Sequence, residues 1–126
     1  MKYLMDTCAL FALADGSLST PVKVALENNP NLFVSMVSLW EVAIKQATGK
    51  LSMSREPLDW YEHLLENHQL SEHGITRVDI ATAAALPPIH KDPFDRLIIA
   101  TAITQNLTII TSDRTIPTYP HIQTLW

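Results

Sequence analysis

Short apolar runs alternate with helix-start signals along this chain, and that alternation restricts the fold more than any other feature. Lys2–Met5, Leu32–Val34 and Leu107–Ile110 read as buried strands, with a further short strand around Leu70–Ile75 and a last one over Ile122–Leu125. Helices are expected between them. Cys8–Ala14 follows the first strand, and Thr20-Pro21 gives an N-cap with proline at N1 for a helix running to about Asn28. Asn28-Asn29-Pro30-Asn31 is a turn cluster. Ser38-Leu39-Trp40-Glu41 has capping-box spacing and opens a helix that ends before Gly49. Pro57 to about Asn67 is amphipathic through Leu58, Tyr61, Leu64 and Leu65. Thr76-Arg77-Val78-Asp79 is a second capping box, for a helix through Ala85 that Pro87-Pro88 stops. Asp92-Pro93-Phe94-Asp95 opens the clearest helix, with Leu97, Ile98, Ala100, Thr101 and Ala102 on or near its packed face. Helices alternating with short, wholly apolar strands predict an α/β fold with a parallel sheet covered on both faces. A length of 126 residues suits one domain spanning 1–126.

On that map the acids fall in one place. Asp6 leaves the first strand and Asp113 leaves the late strand Leu107–Ile110. Glu41 and Asp95 lie in the first turns of their predicted helices. Helices of a parallel sheet begin where strands end, so all four lie at the carboxyl edge, where open α/β folds bind ligands. Each has a structural reading taken singly: Asp6 as a cap, Glu41 as partner of Ser38, Asp95 beside the helix dipole, Asp113 as a turn starter. The functional reading rests on their coincidence. Carboxylates that meet must either hold protons or share a cation. Oxygen donors without paired histidine or cysteine favour Mg²⁺, or Mn²⁺, over zinc. Such an ion serves phosphodiester hydrolysis by polarising the phosphoryl group and lowering the pKa of an attacking water.

Composition tightens these choices. The net charge of −4 argues against a sequence-independent nucleic-acid binder unless the acids are gathered for a metal. Lys45, Lys50, Lys91, Arg96 and Arg114 are then the cations available to guide a strand. The one cysteine, Cys8, excludes an intrachain disulfide and points to a reducing cytoplasm. It reads as buried filler rather than a nucleophile. Lys2 and Ala12-Leu13-Ala14 mimic a signal peptide, but Asp6 interrupts the apolar stretch and the segment is short. No apolar run approaches the length of a membrane span.

Asp92 is expected as the N-cap before Pro93. Thr7, Ser38 and Thr111 are hydroxyls that can support the acids or serve as caps. His90 reads as a loop histidine without a catalytic role. Trp40, Trp60 and Trp126 read as core or interface anchors.

Several of these segments together resemble the PIN-domain family, in particular the short toxins of the VapC type. The resemblance is carried by Met5-Asp6-Thr7, by Ser38–Lys45 with Gly49-Lys50-Leu51, by His90-Lys91-Asp92-Pro93-Phe94-Asp95-Arg96-Leu97, and by Thr111-Ser112-Asp113. It implies a three-layer α/β/α sandwich around a parallel sheet and metal-dependent cleavage of single-stranded RNA. It also implies Asp6, Glu41, Asp95 and Asp113 as the acidic quartet, a small antitoxin protein as inhibitor, and a homodimer. Members of the family often carry histidine or another polar residue where this chain has Cys8. The competing readings are a non-catalytic binding module of the same fold, a nuclease acting on DNA, and a phosphatase or phosphoryl acceptor. The absence of an acid at position 8 weighs against the last.

Overall fold

The computed structural model describes residues 1–27 and 31–126. The turn expected at Asn28-Asn29-Pro30 therefore lies outside the described residues. In chain order the elements are β1 (Tyr3–Met5), α1 (Thr7–Asp15), α2 (Thr20–Glu27), β2 (Leu32–Ser35), α3 (Met36–Ala47), α4 (Pro57–His68), β3 (Ser71–His73), α5 (Arg77–Ala85), α6 (Pro93–Gln105), β4 (Thr108–Ile110), a 3₁₀ turn (Ile116–Thr118) and β5 (Gln123–Leu125).

The five strands form one sheet in the order β3-β2-β1-β4-β5, and every pairing is parallel. Parallel strands need long crossovers, and the helices supply them. Successive strand residues point to opposite faces, so each apolar strand feeds two cores. Tyr3, Met5, Val34 and Ile110 pack on one face with Ala9 and Leu10 of α1, Val22 of α2, and Tyr61 and Leu64 of α4. Leu4 and Ile109 pack on the other with Val37 of α3, Ile98, Ile99 and Ala102 of α6, and Ile116 and Tyr119 after β4. The result is the parallel sheet covered on both faces that the alternation predicts, and the three-layer α/β/α sandwich that the resemblance implies. Five consecutive residues of α6, Ile98 to Ala102, are buried. A helix buried all round is enclosed on both sides, here by the sheet and by its neighbours α5 and α3. Among the described residues no single helix is long and apolar enough to cross a membrane.

The local signals hold with two shifts. Asp92 caps α6, accepting the Phe94 N–H at 2.8 Å. Thr76 and Asp79 form the expected reciprocal capping box on α5. Asp79, almost fully buried, also accepts the Thr104 hydroxyl at 2.5 Å and so joins α5 to α6. The cap expected at Thr20 belongs to Ser19, whose hydroxyl receives the Val22 N–H at 3.4 Å, and Thr20 is already helical. The capping box expected at Ser38 and Glu41 does not form. Strand β2 runs straight into α3, and Ser35 at the junction accepts the Val37 N–H at 3.1 Å. Ser38 and Glu41 are thereby moved into the body of α3 with both side chains turned inward.

Arg96 is also not the free cation the sequence offers. Its guanidinium donates to the carbonyls of Pro87 (2.8 Å) and His90 (3.3 Å) through Nη1, and of Ala83 (2.8 Å) and Leu86 (2.9 Å) through Nη2. A planar fork with five donors suits this clamp, which fastens the end of α5 and the α5–α6 loop to α6. Arg96→Met, which keeps the stem and removes the fork, is expected to lower unfolding free energy by about 2–4 kcal/mol, because charge-assisted bonds to partly buried carbonyls are lost together. Urea denaturation of the two proteins measures it.

Candidate metal centre

The sheet order reverses beside β1: the chain moves outward through β2 and β3, then returns to β4 on the other side. The cleft at the carboxyl ends of β1 and β4 is therefore the switch point where no crossover helix covers the edge. Asp6 follows β1 directly, with its N–H donating to the Ile110 carbonyl at 3.2 Å. Its extended backbone makes it the N-cap of α1, and Oδ1 accepts the Ala9 N–H at 2.8 Å. The Thr111 hydroxyl, at the end of β4, is its other partner. The structural and functional readings of Asp6 are thus compatible, since capping occupies one oxygen.

The other acids arrive on separate elements. Glu41, in the second turn of α3, is buried, and its Oε1 accepts the Thr7 hydroxyl at 2.7 Å. Thr7 also pairs with the Ser38 hydroxyl at 3.0 Å, and Oε2 of Glu41 is ion-paired with Lys45 one turn on. Asp95, in the first turn of α6, and Asp113, beyond β4, are half-buried. Asp113 Oδ1 accepts the Thr115 N–H at 2.7 Å, and Oδ2 lies 3.2 Å from His90 Nε2. Ligand atoms of His90, Asp95 and Asp113 all lie within 4.8 Å of one another.

The electrostatics show that the four acids share one field. Burial raises Asp6 from 3.8 to about 6, against the bonds from Thr111 and Ala9, and Asp113 and Glu41 add to the rise. Burial likewise raises Asp95 from 3.8 to about 6, with Asp92, Glu41 and Asp6 contributing. Burial also acts upward on Asp113, but the Thr115 N–H and the His90 ring outweigh it and its carboxyl ends below the usual range. Lys45 is raised by its bond to Glu41, against partial burial, and Asp92 and Asp95 add to the rise at longer range. Among the described residues no Lys, Arg or His forms a direct ion pair with Asp6 or Asp95.

Three residues depart from the sequence reading. Cys8 is exposed rather than buried, because the first turn of α1 directs Ala9 and Leu10 at the core and Cys8 at the acids. Partial enclosure of the thiol, then Asp6, Asp95 and Glu41, raise its pKa, so it stays a protonated thiol, as expected of a non-nucleophile. His90 stands beside Asp95 and Asp113. Its partners Asp113 and Tyr119 lie 23 and 29 residues away, and only nearness to the Asp92–Asp95 segment hinted at a role. Trp40 is half exposed and meets Phe94 edge to face at 4.9 Å, whereas Trp60 stacks on Phe11 as an anchor. Lys50, Lys91 and Arg114 are exposed, as strand-guiding cations require.

Comparison with known proteins finds relatives over most of the chain. The PIN-domain family model matches residues 3–121. Ribonuclease VapC22 of Mycobacterium tuberculosis is 34% identical over 112 residues, covering 86% of this chain and 85% of that protein. Among solved structures, VapBC2 of Rickettsia felis bound to a promoter DNA fragment superposes with a TM-score of 0.72 at 16% identity, covering 99% of this chain and 98% of that one. A toxin–antitoxin complex from Klebsiella pneumoniae gives 0.68 at 21% identity, covering 99% and 97%. At such identities the structural matches establish a shared fold.

The raised pKa of Asp6 has a consequence for folding. Asp6 holds its proton more tightly in the folded chain than in the unfolded one, so between pH 3.8 and about 6 the folded state binds more protons. Stability of the metal-free chain must then fall as pH rises through that window and level off above it. Asp6→Asn keeps a good N-cap and removes the charge. At pH 8 without metal it is expected to be more stable than wild type by about 1–3 kcal/mol, with the gap closing near pH 4. Denaturation in chelator at the two pH values decides it, and added Mn²⁺ should reverse the order at pH 8.

Proposed function

The chain belongs to the PIN-domain family, and we propose that it is a metal-dependent endoribonuclease that cleaves single-stranded RNA as the toxin of a toxin–antitoxin pair. The observation that supports the reading is the electrostatic field that links Asp6, Glu41, Asp95 and Asp113, with ligand atoms of Asp95 and Asp113 within 4.8 Å of one another. The relative named as a ribonuclease and the structural neighbours crystallised as toxin–antitoxin complexes support the activity and a protein inhibitor. A homodimer and a cytoplasmic site of action complete the reading.

The donor set fits a hard divalent ion such as Mg²⁺ or Mn²⁺: the groups are carboxylate oxygens, and burial together with neighbouring carboxylates raises both Asp6 and Asp95. Asp6, Asp95 and Asp113 would hold the ion, with Glu41 directly or through water. When bound it supplies positive charge opposite a phosphate and acidifies the attacking water. The rest falls to the chain itself. The Ala9 N–H and the Thr111 hydroxyl orient Asp6. Thr7 and Lys45 each hold one oxygen of Glu41, which fixes its plane. The Thr115 N–H fixes Asp113. Such preorientation lets the carboxylates meet charge as it develops, without rearranging. A carboxylate of this set takes the proton from the water, and the exposed Lys50, Lys91 and Arg114 draw the phosphate backbone toward an otherwise acidic cleft.

Cleavage of a labelled RNA mixture, by protein freed of any copurifying partner, tests the reading. Strand scission is expected with Mg²⁺ or Mn²⁺ and none in EDTA. Asp95→Asn should lower the rate by more than about a hundredfold, the loss of several kcal/mol of transition-state stabilisation. Cleavage unaffected by EDTA would sink the metal reading. Inert wild type that still binds Mn²⁺ by calorimetry, yet cuts neither RNA nor single-stranded DNA, would favour a binding module.

A further inference from the structure

Tyr119 follows the 3₁₀ turn, is nearly fully buried, and belongs to the second core. Its phenolic oxygen accepts the backbone N–H of His90 at 2.7 Å and lies 3.0 Å from His90 Nδ1. The two rings pack with centroids 5.5 Å apart and planes 23° from parallel. Across the imidazole, Nε2 is 3.2 Å from Asp113 Oδ2.

Proton accounting assigns the tautomer. A backbone N–H can only donate, so it uses a lone pair of the phenol oxygen. The phenol has one proton of its own, and a buried hydroxyl must place it. Among the described residues Nδ1 is the acceptor within reach. Nδ1 is then the bare nitrogen, and the ring proton sits on Nε2, pointing at the Asp113 carboxylate. We infer that Tyr119 and His90 are a positioning pair for Asp113, with the phenol holding the imidazole in its Nε2–H form so that His90 is a hydrogen-bond donor to the carboxylate and not a ligand of the metal.

The same geometry weighs the other role for His90. Its distance to Asp95 and Asp113 also suits a metal ligand. Ligation through Nε2 would send the ring proton to Nδ1, where it would face the phenol oxygen and leave the buried Tyr119 proton without an acceptor. That cost falls on the ligand role and not on the donor role. The backbone is fixed to match: the His90 N–H is held by Tyr119 and its carbonyl receives Arg96 Nη1. An outer donor of this kind orients a carboxylate that binds metal. The functional part of the inference rests on the proposed role of Asp113, while the tautomer stands on geometry alone.

The test is nitrogen NMR on the full chain labelled with ¹⁵N in its histidines, well above the ordinary histidine pKa of about 6.5. The wild-type His90 ring is expected as a single Nε2–H tautomer, and Tyr119→Phe, which keeps the ring packing, is expected to release it into a mixture. Adding Mg²⁺ should leave Nε2 protonated. An Nδ1–H ring in wild type, an unchanged tautomer in Tyr119→Phe, or loss of the Nε2 proton on adding Mg²⁺ overturns the inference. In RNA cleavage, Tyr119→Phe and His90→Ala should lower kcat by roughly 10- to 100-fold with KM little changed. His90→Gln, whose amide nitrogen reaches the place of Nε2, should recover part of the loss, and a Gln variant no better than Ala contradicts the donor role. The spectra need no RNA. A chain with the expected tautomer that cuts no nucleic acid keeps the pair and rejects the nuclease.

Discussion

Mutual repulsion among carboxylates at the end of β1 is the constraint on which the other features of the site depend. Asp6 is 3% exposed and Glu41 5%, and each lies in the field of the other. Burying such charges costs free energy unless they are paired or protonated. The fold meets part of that cost with neutral donors: the Thr7 and Thr111 hydroxyls and the Ala9 N–H. These orient the acids without discharging them. Lys45 pairs with Glu41, and the remainder is left as raised pKa values at Asp6 and Asp95. Two apolar cores, one on each face of the sheet, provide the stability that lets this arrangement persist.

The segment between α5 and α6 is the second place where polar bonds do work that packing does not. It contains little regular structure, yet Arg96 reaches four of its carbonyls or those of the helix before it. Irregular backbone would otherwise carry unsatisfied groups next to the core. The clamp also places His90 in register with Asp113 and Tyr119, which come from beyond β4. A cation that the sequence offers for nucleic acid is therefore used to shape the rim of the site. The exposed Lys50, Lys91 and Arg114 remain for a ligand.

The α/β class, the parallel sheet, the strand positions and the Asp92 and Thr76 caps were legible because each rests on local physics: apolar runs, proline at N1, reciprocal caps. The placement of Asp6 and Asp113 was legible because a residue that leaves a strand of a parallel sheet has little choice of edge. The start of α3 was misread at Ser38 because the rule for a capping box is satisfied there by residue type alone. The choice of Ser35 instead depends on β2 and α3 sharing one junction. Cys8 was misread because burial preference is an average, and the direction of one side chain in the first turn of α1 is set by which neighbours already face the core.

Local sequence thus determined the elements, their order and the edge at which the acids collect, since these follow from periodicity, capping and the geometry of parallel crossovers. Tertiary structure alone decided that the acids share one field, that Glu41 is held by Thr7 and Lys45, that Arg96 is a clamp, and that His90 stands between Tyr119 and Asp113. Those relations join residues far apart in the chain, from Thr7 and Glu41 at 34 positions to Asp6 and Asp113 at opposite ends. Their energies depend on distance and burial, which exist only once the sheet has brought its carboxyl ends together.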